Sequence, residues 1–133
     1  MKRELAISAE PIDEARLVAA RRMSSGMGAA VYFAGVVREM EGERALKGID
    51  YEAFRAMAEH QFQLIFDAVA QRWPVESVRV VHRIGFVKVN EASLWVEVIA
   101  PHRGEAFAAC QFLIEEMKAK VTIWKRGIVA TEG

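Results

Sequence analysis

Two lysines near the C-terminal end of the chain, Lys118 and Lys125, are the side chains best suited to chemistry. Lys118 lies on the helix that residues 103–120 predict, and it points almost the same way as the apolar stripe of that helix. Burial disfavours an ammonium charge unless the side chain reaches solvent, forms a pair or lines a pocket, so a lysine there is unusual. Lys125 follows in an extended alternation beside apolar Ile123 and Trp124, and two lysines at one pocket would suit acid-base work on an anionic substrate. The stripe consists of Ala106, Phe107, Cys110, Leu113, Ile114 and Met117.

The position of Lys118 also allows a structural interpretation. It lies one turn from the predicted helix end, where its ammonium group can reach solvent and is favoured by the negative end of the helix dipole. Lys120, by contrast, faces away from the stripe. From the residues alone, the structural and the functional interpretation of Lys118 have similar support.

A second candidate site is the start of the same helix, Ala100-Pro101-His102-Arg103-Gly104-Glu105-Ala106. Free N–H groups and the helix dipole attract phosphates to helix N-termini, and Arg103 could add a bidentate contact. In the alternative interpretation, Glu105 compensates the dipole and His102 only caps the helix. That alternative would be slightly favoured if the segment stood alone.

The remaining candidate residues carry weaker signals. Arg38 follows the apolar strand predicted over residues 29–37 and can project at a sheet edge, although an isolated arginine is more often solvated. His82 and Arg83 end another predicted strand, and such residues are more often structural. Cys110 lies in the middle of the apolar stripe, which predicts a buried and inert thiol rather than a nucleophile.

Composition and spacing argue against several classes of function. Lys plus Arg and Asp plus Glu both number 18, so the chain lacks the general basic field on which nonspecific nucleic-acid binding depends. An RNA-binding α+β module would need exposed aromatic side chains on a basic sheet, whereas the aromatic residues here fall mostly in apolar stripes. The sequence contains no His and Cys spacing of a zinc site, no glycine-rich phosphate loop and no evident Ser-His-Asp set. We therefore expect neither a metal nor a cofactor.

The length of 133 residues predicts a single domain over residues 1–133. One cysteine cannot form an internal disulfide, which fits a reducing cytoplasm, and no apolar run has the length of a signal peptide or a membrane span. We expect a cytoplasmic globular protein.

Hydrophobic periodicity predicts an α+β fold in which helices pack against a mostly antiparallel sheet. Residues 77–84 and 93–100 alternate and are rich in β-branched side chains, so we expect them to pair as antiparallel neighbours. Residues 29–37 are apolar on both parities, as in a strand covered on both faces, and polar residues 39–47 indicate a mobile loop that could act as a lid. The other predicted elements are a strand at Leu5 and Ile7, a helix over residues 13–23, a strand over residues 49–52, a helix over residues 54–73 and an extended tail after residue 120.

Several segments, in this order along the chain, resemble the large, catalytic subunit of molybdopterin synthase. The resemblance runs from about Gly28 to Arg126, and the combination is far more specific than any single piece. The segments are Gly28-Ala29-Ala30-Val31-Tyr32-Phe33-Ala34-Gly35-Val36-Val37-Arg38, Tyr51-Glu52-Ala53-Phe54 with Met57-Ala58, His82-Arg83-Ile84-Gly85, Ala100-Pro101-His102-Arg103, Ala106-Phe107, and Lys118 with Ile123-Trp124-Lys125-Arg126.

The resemblance implies a fold of the α/β hammerhead type and a sulfurtransferase of molybdenum cofactor biosynthesis. A homodimer would bind a small ubiquitin-like sulfur carrier at each end, giving a heterotetramer, and the carrier's C-terminal Gly-Gly thiocarboxylate would deliver sulfur to cyclic pyranopterin monophosphate. Lys118 and Lys125 match the catalytic lysines of the family, and Arg38, His102 and Arg103 match its anion-binding positions. Phe33 and Met117 would line the pocket.

The chain departs from the family pattern at two positions. Thr122 stands where the family usually has proline, and Gly127 stands where an acidic residue usually follows the Trp-Lys-Arg run. The second departure removes a carboxylate that could hold a lysine in place, for which Glu132 is a candidate substitute. An alternative function is therefore a degenerate, noncatalytic subunit that only docks the sulfur carrier.

Overall fold

The computed structural model describes residues 1–130, which form three helices and eight strands. In chain order these are β1 (Lys2–Ser8), α1 (Glu14–Ala19), β2 (Ala29–Val36), β3 (Met40–Glu41), β4 (Arg44–Ala53), α2 (Arg55–Arg72), β5 (Ser77–Arg83), β6 (Gly85–Lys88), β7 (Ala92–Ala100), α3 (Arg103–Lys120) and β8 (Ile123–Val129). Helix α3 has the predicted bounds. Helix α2 is shorter than predicted by one residue at each end, because Phe54 and Trp73 have extended backbone.

The first sheet has the strand order β1-β5-β7-β2. Strands β1 and β5 are parallel, whereas β5 with β7 and β7 with β2 are antiparallel, which confirms the predicted pairing of residues 77–84 with residues 93–100. Val96, Val98 and Ala100 of β7 are fully buried in the core that α2 and α3 form against this sheet. The intervening residues Trp95, Glu97 and Ile99 are buried as well, so both faces of β7 are covered. The predicted α+β class with a mostly antiparallel sheet is confirmed.

The second sheet is centred on β4. Strand β6 pairs with Gly48–Tyr51 of β4, and β8 pairs with β4 from Leu46 to Ala53, both antiparallel. Gly48 is required at this crossing, because a Cβ atom there would lie 2.2 Å from the carbonyl oxygen of Val87. The sheet therefore pairs β8, the last strand described and the one that carries Lys125, with β4.

The expectation of a mobile loop over residues 39–47 is wrong. These residues form the β3–β4 hairpin, in which Glu41 pairs with Arg44 around the two-residue turn Gly42-Glu43. Gly42 has a φ of 61°, the positive value that type II′ hairpin turns require at their first central position. The polar composition that suggested a loop belongs to an exposed hairpin.

The expectation that residues 29–37 are covered on both faces is also wrong. Strand β2 is an edge strand that pairs only with β7 among the described residues. Tyr32, Phe33 and Val36 are 52%, 39% and 49% exposed. An apolar edge strand of this kind is a template for pairing with another chain.

Candidate active site

A cavity of about 870 Å³ opens between the end of β2, the second sheet and the C-terminal end of α3. Five of the seven residues that the sequence assigned to a site line this cavity: Phe33, Arg38, Met117, Lys118 and Lys125. They come from three different elements or their ends, far apart in the chain. The fold thus collects one arginine and two lysines around one space that is large enough for a small-molecule substrate.

Lys118 lies in the last turn of α3 at the margin of the buried face. Its neighbour Met117 is buried, whereas Lys118 is exposed at the cavity. The apolar stripe is narrower than predicted, because Phe107 is 59% exposed and Ile114 is only half-buried. Lys118 is therefore a residue of a cavity wall and not of the core. Its exposure fits the structural interpretation, in which the ammonium group reaches solvent at the helix end, and its position at the cavity fits the functional one.

Lys125 reaches the same cavity from strand β8. Side chains alternate between the two faces of a strand, so Ile123 and Lys125 face the cavity while Trp124 and Arg126 face the other side. Trp124 is 56% exposed, and Arg126 pairs loosely with Asp50 at 3.8 Å. The predicted extended segment thus supplies the second lysine by the alternation that a strand imposes.

Arg38 and Phe33 approach the cavity from the β2 side. The backbone is held there because the Val37 N–H donates to the Glu91 carbonyl at 3.0 Å and the Asn90 N–H donates to the Val37 carbonyl at 2.9 Å. Arg38 follows directly and is exposed. Its guanidinium group is available to an anionic ligand in the cavity.

His102 and Arg103 do not reach this cavity within the same chain. They begin α3, whereas Lys118 lies fifteen residues later, about 22 Å away along the helix axis. Both are exposed, and His102 Nδ1 lies 2.8 Å from Glu105 Oε1. This contact agrees with the alternative in which Glu105 compensates the helix end. One chain therefore places the predicted anion-binding residues at two separate locations.

Among the cavity residues that the sequence did not assign to a site, four have polar side chains: Glu41, Tyr51, His82 and Ser93. The Tyr51 hydroxyl donates to Ser93 Oγ at 3.2 Å, and Ser93 Oγ donates to the Gly35 carbonyl at 3.4 Å. The Tyr51 and His82 rings pack edge to face with centroids 5.4 Å apart. The only sequence signal for them was the occurrence of Tyr51 and His82 in the family-like segments, because strand alternation does not reveal which face adjoins a cavity.

A carboxylate stands beside Gly127 although the chain lacks an acid at that position. A Cβ atom on Gly127 would lie 2.9 Å from Glu41 Oε2, so the side chain of Glu41 fills the space that a side chain of residue 127 would enter. Glu41 lines the cavity and also binds Arg44 through Oε1 at 2.9 Å. Glu41 is thus a described candidate for the missing acid, and Glu132 lies outside the described residues.

Cys110 is buried in the core, as expected. Burial raises the pKa of its thiol to about 11, so the thiolate that would act as a nucleophile is scarce at neutral pH. Within residues 1–130 the structure gathers no group of three or more His, Cys, Asp or Glu side chains that could hold a metal ion. None of the helices described combines the length and apolar character that a membrane span requires.

The fold is of the α+β class, and its cavity is lined by one arginine and two lysines. Residues 7–120 match the family model described as MoaE protein, and the chain belongs to that family. The family membership confirms the resemblance that the sequence segments indicated.

Individual relatives agree with this assignment. The chain is 39% identical over 102 residues to the molybdopterin synthase catalytic subunit of Homo sapiens, covering 76% of this chain and 54% of the human protein. It is 33% identical over 126 residues to the subunit of the same name from Vibrio cholerae, covering 95% of this chain and 84% of that one. The chain therefore spans about half the length of the human relative and most of the bacterial one.

Among solved structures, the fold is similar to that of molybdopterin synthase from Staphylococcus aureus. The TM-score is 0.85 at 32% sequence identity, and the match covers 97% of this chain and 92% of the other. The expected hammerhead-type α+β fold is confirmed by this similarity.

Proposed function

We propose that this chain is the catalytic subunit of a molybdopterin synthase. It would transfer sulfur from the thiocarboxylated C-terminus of a ubiquitin-like carrier to cyclic pyranopterin monophosphate, without a metal or cofactor. The observation that carries the proposal is the convergence of Lys118, Lys125 and Arg38 on one cavity in a chain of this family. A single domain over residues 1–133 and a cytoplasmic location are parts of the same proposal.

The residues suit the chemistry because the carrier supplies the nucleophilic sulfur. The enzyme has to orient that sulfur, protonate the departing oxygen and hold the substrate phosphate. Lys118 would contact the carrier terminus or act as acid and base, Lys125 would stabilise negative charge on the substrate, and Arg38 would bind phosphate. Phe33 and Met117 would provide the apolar part of the wall.

The proposal includes a homodimer in which a second copy supplies His102 and Arg103. These two residues lie far from the lysines of their own chain, while the cavity adjoins the exposed apolar edge strand β2. A second chain that approaches this edge can bring the start of its α3 to the cavity. The phosphate would then be held by Arg38 of one copy and by His102 and Arg103 of the other.

The test is to mix the protein with thiocarboxylated carrier and cyclic pyranopterin monophosphate and to measure molybdopterin through its fluorescent oxidation product. The wild type should form product, and Lys118→Ala should form it at least about 100-fold more slowly, as is typical for loss of an acid-base group. Lys120→Ala is the matched control, because Lys120 lies two residues away, does not line the cavity and pairs with Glu116 at 2.9 Å. Normal turnover by Lys118→Ala would remove its proposed role.

A noncatalytic docking subunit is the second candidate function, and the absence of an acid at position 127 is the observation that favours it. The same experiment separates the two functions. Carrier binding by the wild type without product would support the docking subunit, whereas product at a rate that depends on Lys118 would exclude it.

A further inference from the structure

One part of the cavity wall presents polar but uncharged side chains. Tyr51, His82 and Ser93 line it, and Tyr51 lies directly opposite Lys125 in the pairing of β4 with β8. Directly paired residues have Cβ atoms about 5 Å apart, so the uncharged side chains lie directly beside the cationic Lys125. A ligand that fills the cavity would contact both kinds of surface.

Two hydrogen bonds, between Tyr51 and Ser93 and between Ser93 and Gly35, determine the direction of the Tyr51 hydroxyl proton. The Gly35 carbonyl can only accept, so the one proton of Ser93 Oγ is used in that contact at 3.4 Å. The contact at 3.2 Å between Tyr51 and Ser93 then requires Tyr51 to donate. The phenolic oxygen of Tyr51 is left with its lone pairs, and it meets the cavity as an acceptor.

His82 is an acceptor for a similar reason. Its Nδ1 lies 2.7 Å from the Arg83 carbonyl, which can only accept, so Nδ1 carries the proton and Nε2 of the neutral ring has a free lone pair. Burial lowers the pKa of His82, and the hydrogen bond to Arg83 opposes this shift only in part, so the ring is neutral at neutral pH. Its edge-to-face contact with Tyr51 holds the two rings in a fixed relation.

We propose that Tyr51 and His82 bind the N–H-bearing ring of the substrate, with Ser93 as a positioning residue that orients the Tyr51 hydroxyl. This inference rests on the proposed function and extends it to the second half of the substrate. Phosphate oxygens only accept hydrogen bonds and therefore gain nothing from the acceptors Tyr51 and His82. These two side chains suit the part of the substrate that donates hydrogen bonds. A pterin ring carries amide and amino N–H groups that donate hydrogen bonds, and the phosphate is left to Arg38 together with His102 and Arg103 of the second copy.

Recognition in two halves would fix the direction of the substrate in the cavity. Arg38 holds the phosphate end, and the acceptors Tyr51 and His82 hold the ring end, so the carbons that receive sulfur lie between them near Lys118 and Lys125. Positioning of this kind lowers the entropic part of the barrier for the transfer. Tyr51 and His82 are therefore expected to select a nitrogen-rich ring over other phosphorylated compounds.

The test compares binding of cyclic pyranopterin monophosphate and of inorganic phosphate by titration calorimetry. Tyr51→Phe keeps the ring that packs on His82 and removes only the hydroxyl. We expect it to weaken binding of the pterin about 3- to 10-fold, the usual effect of one hydrogen bond, while binding of inorganic phosphate stays within about 2-fold of the wild type. Ser93→Ala should change pterin binding in the same direction but less.

Tyr32→Phe is the matched control. Tyr32 is the only other tyrosine of the sequence and does not line the cavity. It stacks on Trp95, with the two ring centroids 6.2 Å apart. It should bind both ligands as the wild type does. Equal binding of the pterin by Tyr51→Phe and the wild type would overturn the inference, and so would an equal loss for pterin and phosphate, which would indicate a structural role.

Failure of the proposed function has a different signature. If the wild type bound inorganic phosphate but not the pterin, both the function and this inference would be overturned. If the wild type bound the pterin and made product while Tyr51→Phe bound the pterin equally well, only this inference would fail.

Discussion

At the level of single residues, Lys118 and Lys125 reach one cavity from two kinds of backbone. The last turn of α3 carries Lys118, and strand β8 carries Lys125 on the face shared with Ile123. The short segment between α3 and β8 is held by the side chain of Gln61. This side chain accepts from the Thr122 N–H at 2.8 Å and donates to Thr122 Oγ1 at 3.2 Å. Proline, the usual residue of the family at position 122, has no N–H and could not donate to Gln61. Thr122 therefore replaces proline with a residue that forms two hydrogen bonds with Gln61.

A prediction at this scale concerns Cys110. Its thiol has a pKa of about 11, so the reactive thiolate is present only when the pH approaches that value. At pH 8, iodoacetamide should therefore alkylate the folded protein much more slowly than the protein unfolded in urea, with the rate rising as the pH is raised. The measurement is the mass increase with time.

The same burial predicts that no sulfur passes through Cys110 during turnover. Cys110→Ala should form molybdopterin at the wild-type rate and lose about 1 kcal/mol of stability from the small cavity that remains. A folded Cys110→Ala protein without activity would contradict this expectation.

The sequence could indicate the two lysines as candidates because each lies beside apolar residues in a regular pattern. It could not identify Tyr51, Ser93 or His82, because a polar side chain on a strand looks the same whether its face meets solvent or a cavity. Nor could it predict that Glu41 approaches Gly127, since that contact depends on the pairing of β4 with β8. Contacts between distant segments decide the parts of the site that the sequence left open.

At the level of elements, the two long helices were predicted best, whereas the helix predicted over residues 13–23 covers only Glu14–Ala19. The stripe of α3 and the stop at Pro74 after α2 are local signals, and local signals do not depend on partners. The strands were less accurate, because β2 has an apolar sequence but lies at a sheet edge. Strand β6 was missed, since residues 85–88 are short and pair only through β4 among the described residues.

A prediction at the element scale concerns the close approach of β4 and β6. A Cβ atom on Gly48 would lie 2.2 Å from the Val87 carbonyl oxygen and 2.7 Å from the Phe86 ring, so the two strands would have to separate. We expect Gly48→Ala to lower the free energy of unfolding by about 1–3 kcal/mol, the usual cost of overpacking. Urea denaturation followed by circular dichroism measures the change.

Gly104→Ala is the matched control for Gly48. Gly104 lies within α3, and nothing stands within 4 Å of a Cβ atom built there. Alanine is the better helix former by about 0.5–1 kcal/mol, so this variant should be slightly more stable than the wild type. Equal stability of the two variants would show that the β4–β6 contact is not tight.

At the level of the whole molecule, one arrangement would account both for the exposed edge strand β2 and for the position of Arg103 far from the lysines of its own chain. A single chain leaves Tyr32, Phe33 and Val36 of β2 partly uncovered and holds Arg103 about 22 Å from Lys118 along α3. A twofold dimer that covers β2 would explain both features, because the start of α3 of each copy would lie at the cavity of the other copy. Symmetric assembly makes the two resulting sites equivalent.

The last prediction tests this arrangement by mixing two variants that should each be nearly inactive, Lys118→Ala and Arg103→Ala, under conditions in which dimers exchange subunits. If each cavity combines Lys118 of one chain with Arg103 of the other, every mixed dimer contains one intact cavity and one doubly altered cavity. Random exchange at equal concentrations makes half of the dimers mixed, so molybdopterin formation should recover to about a quarter of the wild-type rate. If both residues served the cavity of their own chain, no cavity in the mixture would be intact and activity would stay at the level of the separate variants. Mixing Lys118→Ala with Lys125→Ala is the control, because these two residues line the same cavity of one chain and no recovery is expected.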